Sequence, residues 1–243
     1  LLQNDGRGRF TDVTRAKAVG LDSVGMVASA QFVDVNGDKA LDLVVVGEWM
    51  PVRLFIQRNG RFEDGSLPAG LAGSEGWWNS VTVADLNADG APDFVLGNLG
   101  LNAYIKASAK APARMYLADF TNTGTLKQLI TFNKFGVDYP IAGRDDLVKL
   151  MPALRPKYQS YRAFGAATLE RIFDRAELQA AIVKYARTFA SAVAMNDGTG
   201  RYTISPLPAE AQLAPVYATV VADFNHDGAM DVLVAGNQLG VPP

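Results

Sequence analysis

Apolar and polar positions along this chain recur in a repeating unit. Three times a short apolar run leads into a nine-residue polar loop and out into a second run rich in Val and Leu. The loops are Asp34–Asp42, followed by Leu43 to Val45; Asp85–Asp93, followed by Phe94 to Leu96; and Asp223–Asp231, followed by Val232 to Val234. Runs this short and β-branched, bounded by turn residues, predict strands rather than helices. A fourth copy at 116–128 keeps only Asp119 and Gly124 of the loop pattern. A second element recurs in a different phase: Asn4 to Phe10, Asn59 to Phe62 and Asn196 to Tyr202 each run from an Asn-Gly-rich turn to an aromatic. Asn and Gly tolerate positive φ, so these segments predict tight hairpin turns.

A strand pair around the acidic loop plus a strand pair around the Asn-Gly turn makes a four-stranded antiparallel sheet, the blade of a β-propeller. The sequence therefore predicts an all-β propeller segment of about four repeats, part of a larger propeller, with a helical insertion. Its expected divisions are the end of one blade at 1–14, blades at 28–66 and 76–112, a decayed blade at 113–208 and the first half of a blade at 215–243. The two ends read as complementary halves, which either pair with each other or belong to a longer array, and the small number of acidic loops favours the array. The insertion covers about 144–186: Leu147, Leu150 and Leu154 share a helical stripe, and Asp174 with Glu177 predicts a capping box. Residues 182–193 fit either period, with a strand expected from Thr188 to Met195.

The acidic loops carry the candidate chemistry. Hard divalent cations take oxygen ligands, and Ca²⁺ accepts six to eight of them in flexible geometry. Loop positions 1, 3, 5 and 9, with the carbonyl of position 7, predict up to three such sites. They are Asp34, Asn36, Asp38, Ala40 and Asp42; Asp85, Asn87, Asp89, Ala91 and Asp93; and Asp223, Asn225, Asp227, Ala229 and Asp231. Three carboxylates within nine residues repel one another unless a cation sits among them. Position 12, where an EF-hand needs Glu, is Val45, Leu96 or Val234, so the loops are of a strand-loop-strand kind. Gly90 and Gly228 supply the sharp turn at position 6; Lys39 stands there in the first loop, which ranks it weakest. The alternative is that these loops are ordinary Asp-Asn-Gly turns needing no ion.

Composition narrows the partners. With 23 basic and 25 acidic residues and a net charge of −2, the chain has no footprint for nucleic acid or an anionic membrane. It has no Cys, which removes disulfides, thiolate metal sites and a cysteine nucleophile together. No apolar stretch approaches the roughly 18–20 residues of a membrane-spanning helix.

The acidic loops, the Val-Leu-rich strands after them and the Asn-x-Gly-x-Phe turns resemble FG-GAP or VCBS repeats, the calcium-binding propeller repeats also found in integrin α subunits. The stretches Val46 to Pro51, Trp77 to Ser80, Gly97 to Asn102, Tyr139–Pro140 before Asp145 to Leu147, and Pro215 to Tyr217 resemble bacterial VCBS-repeat proteins that carry an ASPIC/UnbV domain, and the cartilage acidic protein family. The resemblance implies an exported protein, extracellular, periplasmic or at the cell surface, acting in adhesion, recognition or assembly. The partner is expected to be a protein or carbohydrate ligand, the remaining blades of a longer chain, or another subunit.

No catalytic set can be assembled. The single histidine, His226, sits at position 4 of an acidic loop, and no Ser-His-Asp or phosphate-binding motif is present. A propeller-scaffold hydrolase or lyase acting on polysaccharide is the alternative reading, and a structural subunit of an envelope assembly a third. At least one of Trp77 and Trp78 is expected to pack between blades, with packing or stacking on a sugar or peptide at the propeller rim as the alternatives for the other. The basic and aromatic run from Lys157 to Arg162 is a second candidate contact surface.

Overall fold

The short apolar runs are strands in the computed structural model, which describes residues 1–237; the last residues of the half-blade expected at 215–243 lie outside the described ones. In chain order the strands are β1 (Leu2–Asn4), β2 (Phe10–Asp12), β3 (Met26–Val33), β4 (Asp42–Met50), β5 (Arg53–Arg58), β6 (Arg61–Asp64), β7 (Gly76–Trp77), β8 (Ser80–Ala84) and β9 (Asp93–Gly97). They continue with β10 (Ala113–Ala118), β11 (Lys127–Lys134), β12 (Val137–Pro140), β13 (Ile182–Ala186), β14 (Ala192–Asn196), β15 (Tyr202–Pro206), β16 (Ala218–Ala222) and β17 (Asp231–Ala235). The helices are α1 (Thr14–Lys17), α2 (Arg144–Leu150), α3 (Tyr161–Gly165), α4 (Leu169–Ile172) and α5 (Arg175–Ala180). The protein is mostly β, and its sheets are antiparallel.

Two compact units divide the chain: residues 1–103 with 189–243, and residues 104–188. In the first unit, β3-β4-β5-β6 form one sheet, to which β7 adds beside β4, and β15-β14-β9-β8 form another. The hairpins β1-β2 and β16-β17 stand as two-stranded pieces. The first strands β3, β8 and β16 lie side by side: Val83 N donates to Gln31 Oε1 at 3.1 Å, and Thr82 Oγ1 to the Thr219 carbonyl at 3.2 Å. The runs Leu43 to Val46 in β4 and Phe94 to Leu96 in β9 are apolar on both faces because both faces are buried. Val44, Leu54, Trp78, Phe94, Leu96 and Tyr202 pack into one core shared by the two large sheets.

This pairing redraws the expected divisions. The strands around the second acidic loop pair with β14 and β15, so the sheet is completed by 192–206 rather than by residues near 112. The whole of 104–188 is inserted between the second and third strands of that sheet. Sequence order concealed this, because β9 and β14 are brought together across about a hundred residues. Phe94 stacks on Tyr202 with ring centroids 4.4 Å apart, and Asp93 accepts the Asn196 N–H, so the match is made by contacts no local pattern announces.

The inserted unit is itself a sheet, β12-β11-β10-β13, with the helices beside it. The capping box forms as expected, with Glu177 accepting the Asp174 N–H at 3.0 Å. The helical stretch ends earlier than the expected 186: Ala181 is extended, and 182–186 is β13, paired with β10. The period of 182–193 is ambiguous because β13 is an edge strand with little of its surface buried. The following strand falls at 192–196, later than the expected 188–195.

Candidate metal sites

Each acidic loop joins two neighbouring antiparallel strands, β3 to β4, β8 to β9 and β16 to β17. The three share one hydrogen-bond pattern but for a single donor, since the second N–H on the position 1 carboxylate comes from position 4 in the first loop and from position 5 in the other two. The position 1 carboxylate accepts N–H groups across the loop: Asp34 from Gly37 and Lys39 at 2.8 and 2.7 Å, Asp85 from Asp89 and Gly90 at 3.1 and 2.8 Å, Asp223 from Asp227 and Gly228 at 3.1 and 3.0 Å. The position 3 amide oxygen, on Asn36, Asn87 or Asn225, accepts the N–H of position 5. The position 5 carboxylate, on Asp38, Asp89 or Asp227, accepts at 2.8 Å the N–H of Ala40, Ala91 or Ala229. These are Asx turns in series, in which short polar side chains replace the missing ladder partners of the backbone.

Position 9 has a second task. The Asp42 and Asp93 side chains are fully buried. Asp42 accepts Val35 N at 3.1 Å and Gln57 N, from β5, at 2.7 Å. Asp93 accepts Leu86 N at 2.9 Å and Asn196 N, from β14, at 2.7 Å. Each therefore staples its loop to the third strand of its sheet. Asp231 accepts only Phe224 N, at 3.1 Å, and sits in a hairpin to which no third strand is added among the described residues.

The sharp turning of the loops uses two left-handed residues. Position 6 has positive φ in all three, Lys39 at 68°, Gly90 at 85° and Gly228 at 89°, and so does position 4, Gly37 at 74°, Ala88 at 58° and His226 at 61°. Every loop thus has one Gly and one strained non-Gly residue, and the expected ranking of the first loop as weakest loses its basis. Replacing Ala88 by Gly is expected to raise stability by about 1 kcal/mol, because an L-residue in the left-handed region is strained by about that much; a urea midpoint at or below that of the parent would contradict this.

Electrostatics differ among the loops. Burial pushes the Asp42 carboxyl up, against the Gln57 and Val35 N–H groups that lower it, and the charges of Asp38 and Asp34 add to the rise. Burial raises Asp34 as well, but its cage of N–H groups, that of Lys39 foremost, brings it below the ordinary carboxylate value. The Ala229 N–H and the Asn225 amide hold Asp227 down. All the donors are oxygens, the chemistry a Ca²⁺ ion takes. The carboxylates are nonetheless turned onto the backbone, and no three His, Cys, Asp or Glu side chains converge as a metal cluster among the described residues. In the second and third loops the Asn87 and Asn225 amides donate to Asp89 and Asp227 at 2.8 and 2.9 Å.

The decayed fourth loop is an internal comparison. Asp119 accepts Thr123 N and Gly124 N, and Asn122 and Gly124 have φ of 53° and 77°, so the backbone follows the same course. Thr121 and Thr123 occupy positions 3 and 5, where they bond to each other, and Lys127 occupies position 9. Loop shape therefore needs Asp at position 1 and two left-handed residues; it does not need carboxylates at positions 5 and 9.

Of the other sequence candidates, Trp78 is buried with Nε1 donating to the Ser74 carbonyl, and Trp77 is half-buried with its ring 5.4 Å from that of Trp49. Tyr158 is buried in the inserted unit and donates to the Arg171 carbonyl, whereas Tyr161 is exposed and donates to Asp145. The run from Lys157 to Arg162 is thus split between core and surface. His226 is exposed at its left-handed loop position.

Sequence reasoning missed a cavity of about 500 Å³ in the inserted unit, walled by Leu169, Leu178 and Val183 as well as by Arg114, Tyr116 and Asp138. Asp138 binds the Arg114 guanidinium and accepts from Tyr116 at 3.2 Å and Asn133 at 2.8 Å. Only the alternation of β10 and β12, which puts Arg114, Tyr116 and Asp138 on one face, signals it. Burial first, and then the Asp138 charge, push the Tyr116 hydroxyl up from 10.0 to about 12. A phenol with a raised folded-state value stabilises the fold below pH 10 and loses that contribution as pH rises toward 12. Tyr116→Phe is therefore expected to flatten the fall in unfolding free energy across that window; an unchanged pH profile would refute the assignment.

The class defined by these features is a mostly-β protein of antiparallel sheets whose first strand pairs are closed by repeated acidic loops. The FG-GAP-like repeat family matches residues 34–96, a stretch running from the first acidic loop through the strand after the second. None of the curated proteins matches this sequence.

Proposed function

We propose that this chain is a calcium-stabilised, propeller-type binding module, exported from the cell and working in adhesion, recognition or assembly rather than in catalysis. The observation that carries the reading is the threefold recurrence of the same oxygen donor set on the same loop backbone. The fourth loop holds that backbone without a carboxylate at position 5, so turn formation alone does not account for its presence in the other three. The family match across the first two loops supports it, and so do the antiparallel runs β3-β4-β5-β6, to which β7 adds, and β8-β9-β14-β15, whose strands neighbour one another in chain order. Within the FG-GAP group the reading sides with the VCBS branch, on the stretches around Trp49, Trp77 and Asn98.

In this reading Asp34, Asn36, Asp38 and Asp42, and their counterparts in the other two loops, hold one ion each, together with the carbonyls of Ala40, Ala91 and Ala229. Calcium supplies charge neutralisation and nothing more: three ions add six positive charges to a chain of net −2. Occupancy requires the Asn87 and Asn225 amides to turn their oxygens inward and release the neighbouring carboxylates. Extracellular modules bind Ca²⁺ with dissociation constants of about 10⁻⁴–10⁻³ M, which suits an exported protein. The test is calorimetric titration of Ca²⁺ into the chelator-treated chain. Binding of up to three ions, reduced by one in Asp89→Ala, is the expected result; no heat and no binding by equilibrium dialysis would overturn the reading.

A further inference from the structure

The decayed loop inverts the charge that its three counterparts present. Where they place Asp at positions 5 and 9 it places Thr123 and Lys127, and Thr121 replaces the Asn of position 3. Asp119 is the one carboxylate left in the loop, and it is engaged by the loop itself: it accepts Thr123 N at 3.1 Å, Gly124 N at 2.6 Å, and the Thr121 N–H and hydroxyl at 3.3 and 3.2 Å. Thr121 and Thr123 bond to each other. Lys127, at the start of β11, is half-buried, yet it has no acidic partner among the described residues.

The helices bring a second lysine to the same place. A cavity of about 480 Å³ lies between loop residues 120–123 with Lys127 on one side and residues 149–153, the end of α2 and the turn after it, on the other. Lys149 stands on that second wall. Asp145 and Asp146, one turn earlier in α2, make no ion pair with it, and Asp145 is held by Arg144 and Tyr161 instead. Among the described residues no carboxylate lines the cavity, so both of its charged groups are ammonium groups. Its base is fixed before any ligand arrives: Phe120 and Met151 belong to the buried core of the inserted unit, and Phe120 packs on Phe173 with ring centroids 4.6 Å apart.

Two like charges at one cavity repel each other, and an anion between them relieves the repulsion. Lysine ammonium groups are compact point charges suited to an oxyanion, and a recess with low-dielectric walls and charge of one sign concentrates anions. The rest of the ligand follows from size and lining. The volume falls in the range of small-molecule sites, which leaves space beyond a single oxyanion, and that space is bounded by Leu150, Met151 and Pro152. We propose that this cavity binds a small organic anion, with its acidic oxygens between the Lys127 and Lys149 ammonium groups and its carbon body on Leu150, Met151 and Pro152. The site is made wholly of residues in the inserted unit. One loop backbone thus serves two opposite charges, a cation where positions 5 and 9 are Asp and an anion where they are Thr and Lys.

The probes are hexanoate, hexanol and acetate, titrated into the full chain and followed by NMR shifts of the backbone amides. The chain is stripped of calcium and dialysed free of chelator, since a chelator is itself an organic anion. Hexanoate is expected to shift amides within 121–127 and 149–153. It is expected to bind about tenfold more tightly than hexanol, which lacks the charge, and than acetate, which lacks the carbon body. Lys127→Gln and Lys149→Gln are each expected to weaken hexanoate about tenfold through loss of one charge-assisted hydrogen bond, whereas Lys149→Arg keeps the charge and retains binding. Spectra of the unliganded variants report whether the fold is kept, and the comparison of the three probes on the parent needs no substitution. Hexanol binding as tightly as hexanoate would overturn the proposal by making the cavity a plain apolar groove, and acetate binding as tightly would reduce it to surface charge. No shift at millimolar hexanoate, or glutamine variants that bind like the parent, would overturn it outright. With no calcium present, none of these outcomes bears on the calcium reading.

Discussion

Saturating Ca²⁺ is expected to raise the melting temperature of the chain by at least 5–10 °C over the same protein in excess chelator. With ligand at 100 times the dissociation constant, binding to the native state alone adds about 2.7 kcal/mol for each site. In a domain of 150–250 residues each kcal/mol moves the midpoint by about 2–4 °C. One filled loop therefore produces a shift of that size, and further loops add to it. Asp85→Ala and Asp223→Ala remove position 1 ligands of the second and third loops, so each is expected to shrink the calcium-dependent part of the shift. Asp119→Ala is the internal control: it lowers the midpoint equally with and without calcium, because its loop has Thr121, Thr123 and Lys127 at positions 3, 5 and 9. Superimposable curves in calcium and chelator would mean that the loops are metal-free turns held by Asx hydrogen bonds.

The comparison with the fourth loop bears on how much the sequence shows by itself. The repeated loops and the β-rich architecture are legible because they are local. A nine-residue polar segment between Val-Leu runs announces two antiparallel strands, and Asn-Gly turns announce two more. The capping box at Asp174 and Glu177 is legible for the same reason. What was hidden is non-local. No periodicity tells that β9 pairs with β14 across the inserted unit, since that pairing is fixed by Asn196 bonding to Asp93 and by Tyr202 stacking on Phe94. The role of position 9 was hidden likewise. An aspartate at the end of an acidic loop reads as a metal ligand, but the buried geometry makes Asp42 and Asp93 acceptors for the next strand whether or not an ion is present. The left-handed residues at position 4 escaped because Ala88 carries no preference for positive φ and His226 only a weak one, and the loop around them imposes it.

The double use of position 9 leads to the second large effect, a contrast between two chemically identical substitutions. In chelator, Asp93→Ala is expected to destabilise the chain by about 3–5 kcal/mol, because it strands the N–H groups of Leu86 and Asn196 without an acceptor at a buried site, at about 1–3 kcal/mol each or more. The Asn196 amide ties the same site to the Val35 and Pro92 carbonyls, so the loss extends to the docking of β14. Asp231→Ala removes the same side chain at the same loop position, but there only one exposed N–H loses its partner. Its urea midpoint in chelator is expected to stay close to that of the parent. Asp93→Asn keeps one oxygen acceptor and should fall between the two. If Asp93→Ala and Asp231→Ala shifted the midpoint alike without calcium, the buried carboxylate would not be the staple between the acidic loop and the third strand. Their divergence separates the structural task of this residue from its proposed metal task, because adding calcium is expected to open a gap between Asp231→Ala and the parent that chelator does not show.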